Sequence, residues 1–163
     1  MDILGSKLTD IETNTPRDVV FGPQVVRCVG YGISLELPKG WMAASVMGEV
    51  YGIEPLSQND GRIYVTGKVA GIADVIRSHA EALDMGFIQL LPTSTPFVDN
   101  NQVSIHGSVQ GVGIYKHAYV TTTVTKNNKA ITFAALFDES SALMYRGVVN
   151  EVADSVKDIA AYQ

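Results

Sequence analysis

The residues of this chain best suited to chemistry are three histidines, His79, His106 and His117, and a single cysteine, Cys28. No two histidines stand four residues apart, which is the helical spacing of a zinc protease, and Cys28 has no second cysteine for a metal or an internal disulfide. His79 falls on the apolar stripe of a predicted helix, which favours a hydrogen-bonded core histidine over a metal ligand. We therefore predict no metal site and no cofactor.

His117 and Asp138 are the candidates for general acid–base chemistry. We predict that they face each other across two antiparallel strands, where a carboxylate can orient an imidazole as a general base. The same pair can equally be a charge-assisted contact across a sheet, and no nucleophile is fixed beside it. We therefore predict that the protein is not an enzyme, with a hydrolase using His117 and Asp138 as the less favoured alternative.

Tyr115, His117 and Tyr119 recur at every second position of a predicted strand, so their side chains share one face. If no helix covers that face, they form with Asp138 the floor of a binding site. Such a stripe is more often core beneath a helix. We name Tyr115, His117, Tyr119 and Asp138 as candidate binding residues on this basis.

Two further patterns resemble a phosphate site and a cation site, but other interpretations are favoured for both. The glycine-rich stretch GSVQGVG, residues 107–113, is followed by a predicted strand, whereas a phosphate-binding loop leads into a helix. A turn or bulge is therefore favoured there. Glu151, Asp154 and Asp158 fit the solvated face of a helix better than a cation site, which usually gathers its carboxylates in a tight loop.

Length and charge narrow the classes of function. The chain has 163 residues and a net charge of −5, which fits one domain of ordinary globular composition. Its basic residues are scattered, so no nucleic-acid partner is predicted. Its apolar runs are far too short for a transmembrane segment. With one cysteine and no export signal ahead of the domain, we expect a cytoplasmic protein, or an exported one if a signal was removed before Met1.

The stretch GYGISLELPKGW, residues 30–41, predicts the first well-defined strand. Its apolar residues alternate with polar ones, which is typical of a strand with one buried face. Pro38 cannot donate to a central ladder and Gly40 permits a turn, so the strand must end there. Trp41, the only tryptophan, is predicted to anchor the core at the start of the next strand.

A long hairpin is predicted near the C-terminus, where two runs rich in β-branched and aromatic residues flank Asn127 and Asn128. Asparagine tolerates positive φ, so these two residues are predicted to form a two-residue turn. That turn places His117 opposite Asp138. Both faces of the hairpin carry apolar groups, and we infer that something packs on each face.

Helical spacing of apolar residues predicts one helix over residues 71–86, capped by Gly86, and a second over residues 140–162. The predicted fold class is therefore α+β: a mostly antiparallel β-sheet with helices packed on both faces, an α/β/α sandwich. Residues 1–24 are predicted to be an irregular N-terminal segment, and residues 25–163 a single domain.

The strand ending in LPKGW, the mid-chain helix, the hairpin YKHAYVTTTVTKNNKAITFAALF and the closing helix YRGVVNEVADSV together resemble the Mog1/PsbP-like group. That group includes the PsbP proteins of photosystem II, the Ran-binding protein Mog1 and bacterial DcrB-like proteins. The resemblance implies a non-catalytic accessory domain that docks to a protein partner, and it names neither the partner nor the oligomeric state. The alternative is a carrier or chaperone that holds a small apolar ligand or peptide near Tyr115 and Tyr119.

Overall fold

The computed structural model describes residues 9–11, 19–47, 50–56, 61–81, 83–84, 89–110 and 116–159. Within these ranges the chain forms two sheets and two helices, α1 (Ile72–His79) and α2 (Ala142–Asp154). The smaller sheet contains β1 (Thr9–Ile11), β3 (Gln24–Cys28), β4 (Ile33–Leu37) and β14 (Lys157–Asp158). The larger sheet contains β2 (Val19–Phe21), β5 (Trp41–Met47), β6 (Val50–Pro55), β7 (Gly61–Val69), β8 (Leu83–Asp84), β9 (Gln89–Pro92), β10 (Phe97–Asp99), β11 (Gln102–Gln110), β12 (His117–Val124) and β13 (Lys129–Phe137).

The order of strands in the larger sheet is β2-β5-β6-β7-β13-β12-β11-β9-β8, and β10 also pairs with β11. Every described strand pair is antiparallel except β1 with β3. The protein is therefore a mostly antiparallel α+β fold with two helices, as the sequence predicts. No helix of the described ranges is long and apolar enough to cross a membrane.

The prediction for the first alternating stretch is confirmed. β4 ends at Leu37, the Trp41 amide donates to the Pro38 carbonyl at 3.2 Å, and Gly40 takes a φ of +89°. Trp41 is buried and lies edge-on to Tyr145 of α2, with 5.6 Å between the ring centroids. The turn therefore delivers the tryptophan into the largest apolar cluster, where β4, β5 and α2 meet.

The turn between β12 and β13 differs from the prediction. Strand pairing ends with Thr125, whose amide donates to the Lys129 carbonyl at 2.9 Å, so three residues form the loop. Of the two asparagines only Asn128 has a positive φ, +57°, whereas the favoured two-residue turn needs it at both central positions. The register consequently shifts by one residue, and His117 faces Phe137 instead of Asp138.

Both helices are shorter than predicted. α1 ends at His79, and Leu83 pairs with Leu90 in β9 instead of continuing the helix. The predicted cap, Gly86, lies outside the described residues. α2 ends at Asp154, and Lys157 pairs with Ser34 of β4. In both places strand pairing overrides the local helical pattern, with the nearby β9 after α1 and with the distant β4 after α2.

The segment predicted to be irregular contains two short strands. Thr9–Ile11 runs parallel to β3 as β1, and Val19–Phe21 pairs with β5 as β2. The alternation that marks longer strands is hard to recognise over three residues.

Neighbouring residues of β12 contact different helices. The Thr122 hydroxyl bonds to His79 at the end of α1, whereas the Thr123 hydroxyl donates to the Ala153 carbonyl of α2 at 3.2 Å. α2 buries Tyr145, Val149 and Val152 in the apolar cluster that also contains side chains of the smaller sheet.

Candidate functional site

His117 and Asp138 do not face each other across the two strands. The His117 ring stacks over Phe137 at a centroid distance of 6.5 Å, and its Nε2 lies 3.9 Å from Glu139 Oε1. His117, Asp138 and Glu139 are all exposed. The predicted cross-strand acid–base pair was therefore wrong, because the three-residue turn moves Asp138 past the end of the ladder.

Tyr119 is sealed beneath α2. Its side chain is only 8% exposed, and its hydroxyl donates to the Asn150 side chain at 2.9 Å. The guanidinium of Arg146 lies 5.7 Å from the centre of its ring, and the His106 ring packs against it at 5.2 Å. Burial and the neighbouring Arg146 lower the pKa of His106. Tyr115, the other predicted tyrosine, lies outside the described residues.

His79 is a core histidine with both ring nitrogens engaged. The Ser78 hydroxyl donates to the Val75 carbonyl, so its oxygen is the acceptor for His79 Nδ1–H at 3.1 Å. Nε2 then accepts from the Thr122 hydroxyl at 2.7 Å, and Thr132 donates to Thr122 at 2.8 Å. Burial, together with the charge of Lys68, lowers the pKa of His79 to about 4. The ring is therefore neutral at pH 7, and the core-histidine interpretation is confirmed.

Cys28 is buried in the core at the end of β3. Burial raises the pKa of its thiol to about 12, because a thiolate would lose its hydration there. A neutral thiol is a weak nucleophile and a weak metal ligand. Within the described part of the chain, no three His, Cys, Asp or Glu side chains come together in a way that would hold a metal ion.

β10 is an exposed strand of the larger sheet, and it pairs with β11 as the first strand of a tight hairpin. Asp99 and Gln102 close this hairpin around Asn100, whose φ is +55°. All three residues of β10 are exposed. No described strand pairs with its outer edge. The sequence gives little warning of this strand beyond the prolines before it and the two asparagines after it.

A pocket of about 230 Å³ lies on β2, β5, β6 and β7. We call it the Glu54–Arg62 pocket; its lining includes Val19, Met42, Ala44, Gly52, Glu54 and Arg62. Arg62 Nε forms an ion pair with Glu54 Oε2, and Arg62 Nη1 lies 3.5 Å from the Tyr64 hydroxyl. Sequence reasoning missed this pocket, although a charged residue inside an otherwise apolar strand is a usable signal.

Comparison with solved structures identifies the fold. Neither a protein-family model nor a curated protein matches the sequence. The chain is similar to the solution structure of cyanobacterial PsbP (CyanoP) from Synechocystis sp. PCC 6803, with a TM-score of 0.56 and 19% identity over 83% of this chain and 91% of that chain. A crystal structure from Bacteroides thetaiotaomicron VPI-5482 has a TM-score of 0.45 and 11% identity over 81% of this chain and 47% of that one, which supports no conclusion. The chain therefore has a PsbP-like fold, as the sequence resemblance predicted.

Proposed function

We propose that this protein is a non-catalytic docking domain, and that the outer edge of β10 binds an extended segment of a protein partner. The observation that carries the proposal is the exposed edge strand, in which Phe97 and Val98 are 67% and 45% exposed. An unpaired strand edge is a template for a partner strand, and main-chain hydrogen bonds then supply affinity.

The backbone of Val98 is placed to bind such a segment. Asp99 and Gln102 close a two-residue turn, which makes them a hydrogen-bonded pair. Hydrogen-bonded and non-hydrogen-bonded pairs alternate along an antiparallel ladder, so the Val98–Val103 pair is of the second kind. The N–H and C=O groups of Val98 therefore point away from β11.

The side chains of β10 add specificity to this edge. Phe97 and Val98 are neighbours in a strand, so their side chains point to opposite faces of the sheet. A partner strand laid along the edge would contact an apolar group on each face. The chemistry that fits is an extended segment with apolar residues on both of its faces.

The groups that could do chemistry support a non-catalytic role. The imidazole of His79 is held in a buried hydrogen-bond network, and the thiol of Cys28 is kept neutral by burial. His117 stacks on Phe137 in solvent instead of facing Asp138. General acid–base catalysis needs an oriented base within reach of a substrate, and these placements do not supply one.

We also propose that α1 and α2 pack on opposite faces of the larger sheet, as in an α/β/α sandwich. The hydroxyls of Thr122 and Thr123 bond to α1 and α2 respectively, and neighbouring residues of one strand point to opposite faces. Packing therefore uses both faces of the sheet at Thr122 and Thr123, whereas the edge at β10 stays exposed.

Site-specific photocrosslinking tests the docking proposal. A photoreactive phenylalanine analogue at Phe97 is expected to form a discrete protein adduct in extract from the source organism. The matched control places the same analogue at Leu143, which is 81% exposed on α2. Equal adducts at both positions would indicate non-specific contact and overturn the proposal.

Two substitutions at Val98 test the edge itself, with affinity measured against the captured partner. Val98→Pro removes the outward N–H, which an edge strand tolerates when that group faces solvent, and should weaken binding at least tenfold. Val98→Thr keeps the N–H and the β-branched shape and should bind normally. If Val98→Pro binds as well as the unchanged protein, the partner does not add a strand to β10.

A further inference from the structure

The Glu54–Arg62 pocket arises from one row of residues across four strands. Val19 pairs with Ala44, Ala44 with Gly52, and Gly52 with Tyr64, so all four positions share a face. The two middle residues are small and the two outer ones are larger. The face of the sheet therefore has a hollow at Ala44 and Gly52. Met42 and Glu54 form the next row of residues beside it.

The ion pair of Glu54 and Arg62 forms the polar end of the pocket, and it has hydrogen-bond donors and acceptors left for a ligand. Glu54 uses Oε2 for Arg62 Nε, which leaves its second oxygen as an acceptor. Arg62 uses Nε and Nη1 for Glu54 and Tyr64, and a guanidinium has five N–H donors in all. The side chains of Arg62 and Glu54 are 34% and 17% exposed, so a ligand in the pocket can reach both.

We propose that this pocket binds a small neutral ligand with a primary carboxamide head group and a short aliphatic body. A carboxamide carries a donor and an acceptor in one plane, so it can donate to Glu54 and accept from Arg62. The pair has no net charge, so the attraction of a carboxylate to Arg62 is offset by its repulsion from Glu54, and the attraction of an ammonium to Glu54 by its repulsion from Arg62. The aliphatic body lies over Met42, Ala44 and Gly52.

Volume limits the size of the ligand. The pocket measures about 230 Å³, or roughly eight water volumes at ~30 Å³ each. Pockets for drug-sized molecules span about 300 to 1,000 Å³, so this one takes a fragment-sized molecule. A free amide and the side chain of a partner's glutamine share the required head group. The inference is independent of docking at β10, since the two sites use different strands.

Three probes with the same branched carbon skeleton test the head group: isovaleramide, isovalerate and isopentylammonium. Backbone amide shifts of Ala44 and Gly52 in NMR titrations report binding. Isovaleramide is expected to bind with a dissociation constant on the order of millimolar, and at least tenfold more tightly than the two charged probes. N-acetylglutamine methylamide tests whether the carboxamide comes from a peptide. If it binds more tightly than isovaleramide, the ligand is a glutamine side chain of a partner. If it binds more weakly, the ligand is a free molecule.

Two substitutions should reverse the preference. Glu54→Gln leaves Arg62 with a positive charge, so isovalerate should become the best of the three probes. Arg62→Gln leaves Glu54 negative, so isopentylammonium should become the best. The control is Arg77→Gln, which removes an arginine from the exposed pair with Asp74 outside the pocket and should leave the preference for the amide unchanged.

Ala44→Leu completes the test, because it fills the hollow without changing charge. It should weaken binding of isovaleramide at least tenfold, with the dispersed amide spectrum showing that the variant is folded. If no amide binds, or if isovalerate binds the unchanged protein as tightly as isovaleramide, the proposed ligand class is wrong. Unchanged binding in Ala44→Leu would place the ligand elsewhere and overturn the site.

Discussion

At the scale of single residues, His79 shows how a polar group is accommodated in this core. Its side chain is 2% exposed, yet both ring nitrogens are bonded, one to Ser78 and the other to Thr122. An unsatisfied buried polar group would cost roughly 1–3 kcal/mol, so the network is what allows the histidine to lie there. Burial favours the neutral ring, in which Nδ1–H donates to Ser78 and Nε2 accepts from Thr122.

We therefore expect stability to depend on the protonation of His79. The folded-state pKa is about 4, below the usual 6.5, so between these values the unfolded chain takes up a proton that the folded protein does not. The contribution of His79 to stability is therefore lost as pH drops from 6.5 to 4 and changes little further below. The full shift corresponds to about 3 kcal/mol.

Urea unfolding at pH 7 and pH 4 measures this effect. His79→Gln should lose less stability over this interval than the unchanged protein, by about 3 kcal/mol. The control is His106→Gln: this imidazole lies at the surface and only partial burial and Arg146 lower its pKa, so the pH dependence should change much less. Parallel pH profiles for the His79 variant and the unchanged protein would show that the ring is not buried as described.

Cys28 gives a second prediction at this scale. Because burial raises the pKa of its thiol to about 12, the reactive thiolate is nearly absent at pH 8. Modification by a disulfide reagent should be at least a hundredfold slower in the folded protein than in urea. The measurement is the thiol reaction followed by absorbance. Equal rates in both conditions would mean that Cys28 is accessible.

At the scale of elements, the predictable parts are those whose cause is local. The end of β4 follows from Pro38 and Gly40 themselves, and it lies where the sequence places it. The end of α1 does not follow from its own residues, because Leu83 turns away to pair with Leu90. Likewise, Ser155 ends α2 by bonding to the Val152 carbonyl while it accepts the Glu36 amide of β4. The helical pattern of a segment reveals neither kind of partner.

The loop of the β12–β13 hairpin offers a test at this scale. Asn128 has a φ of +57°, where a β-branched residue is strained by about 1–2 kcal/mol. Asn128→Val should therefore destabilise the protein by about that amount, and Asn128→Gly should be nearly neutral. Thermal unfolding of the variants measures the difference.

The matched control for the hairpin is Asn127→Val. Asn127 does not have a positive φ, so this change should have a small effect. A two-residue turn would make both positions equally sensitive. If Asn127→Val is as damaging as Asn128→Val, the three-residue loop is wrong, and with it the register that separates His117 from Asp138.

At the scale of the whole molecule, the sequence predicts the fold class far better than the candidate sites. Alternation along β4, the β-branched and aromatic runs of β12 and β13, and the apolar stripe of α2 are regular enough to indicate an α+β fold, and the similarity to cyanobacterial PsbP confirms it. The Glu54–Arg62 pocket depends instead on register across β2, β5, β6 and β7. A register error of one residue places the wrong side chain on a face, as it did for Asp138.

Polar contacts of Lys129 and Asp158 connect the two sheets, and we expect them to contribute to the stability of the whole molecule. Lys129 of the larger sheet donates to the Gly32 carbonyl, between β3 and β4, at 3.0 Å, and its Nζ lies 3.7 Å from Asp158 Oδ1. Asp158 of β14 also accepts the Asn127 amide at 3.2 Å through Oδ2. Oδ1 is buried without a hydrogen-bond partner, so Lys129 is its main compensation.

Lys129→Met should therefore destabilise the protein by about 1–3 kcal/mol in urea unfolding, because it leaves the Asp158 carboxylate without its cation. Lys68→Met, on the exposed end of β7, is the control and should change stability by less than about 0.5 kcal/mol. In the double variant with Asp158→Asn, the losses should not add, since the neutral amide no longer needs Lys129. Strictly additive losses would mean that the side chains of Lys129 and Asp158 do not interact, and that this ion pair does not help to join the two sheets.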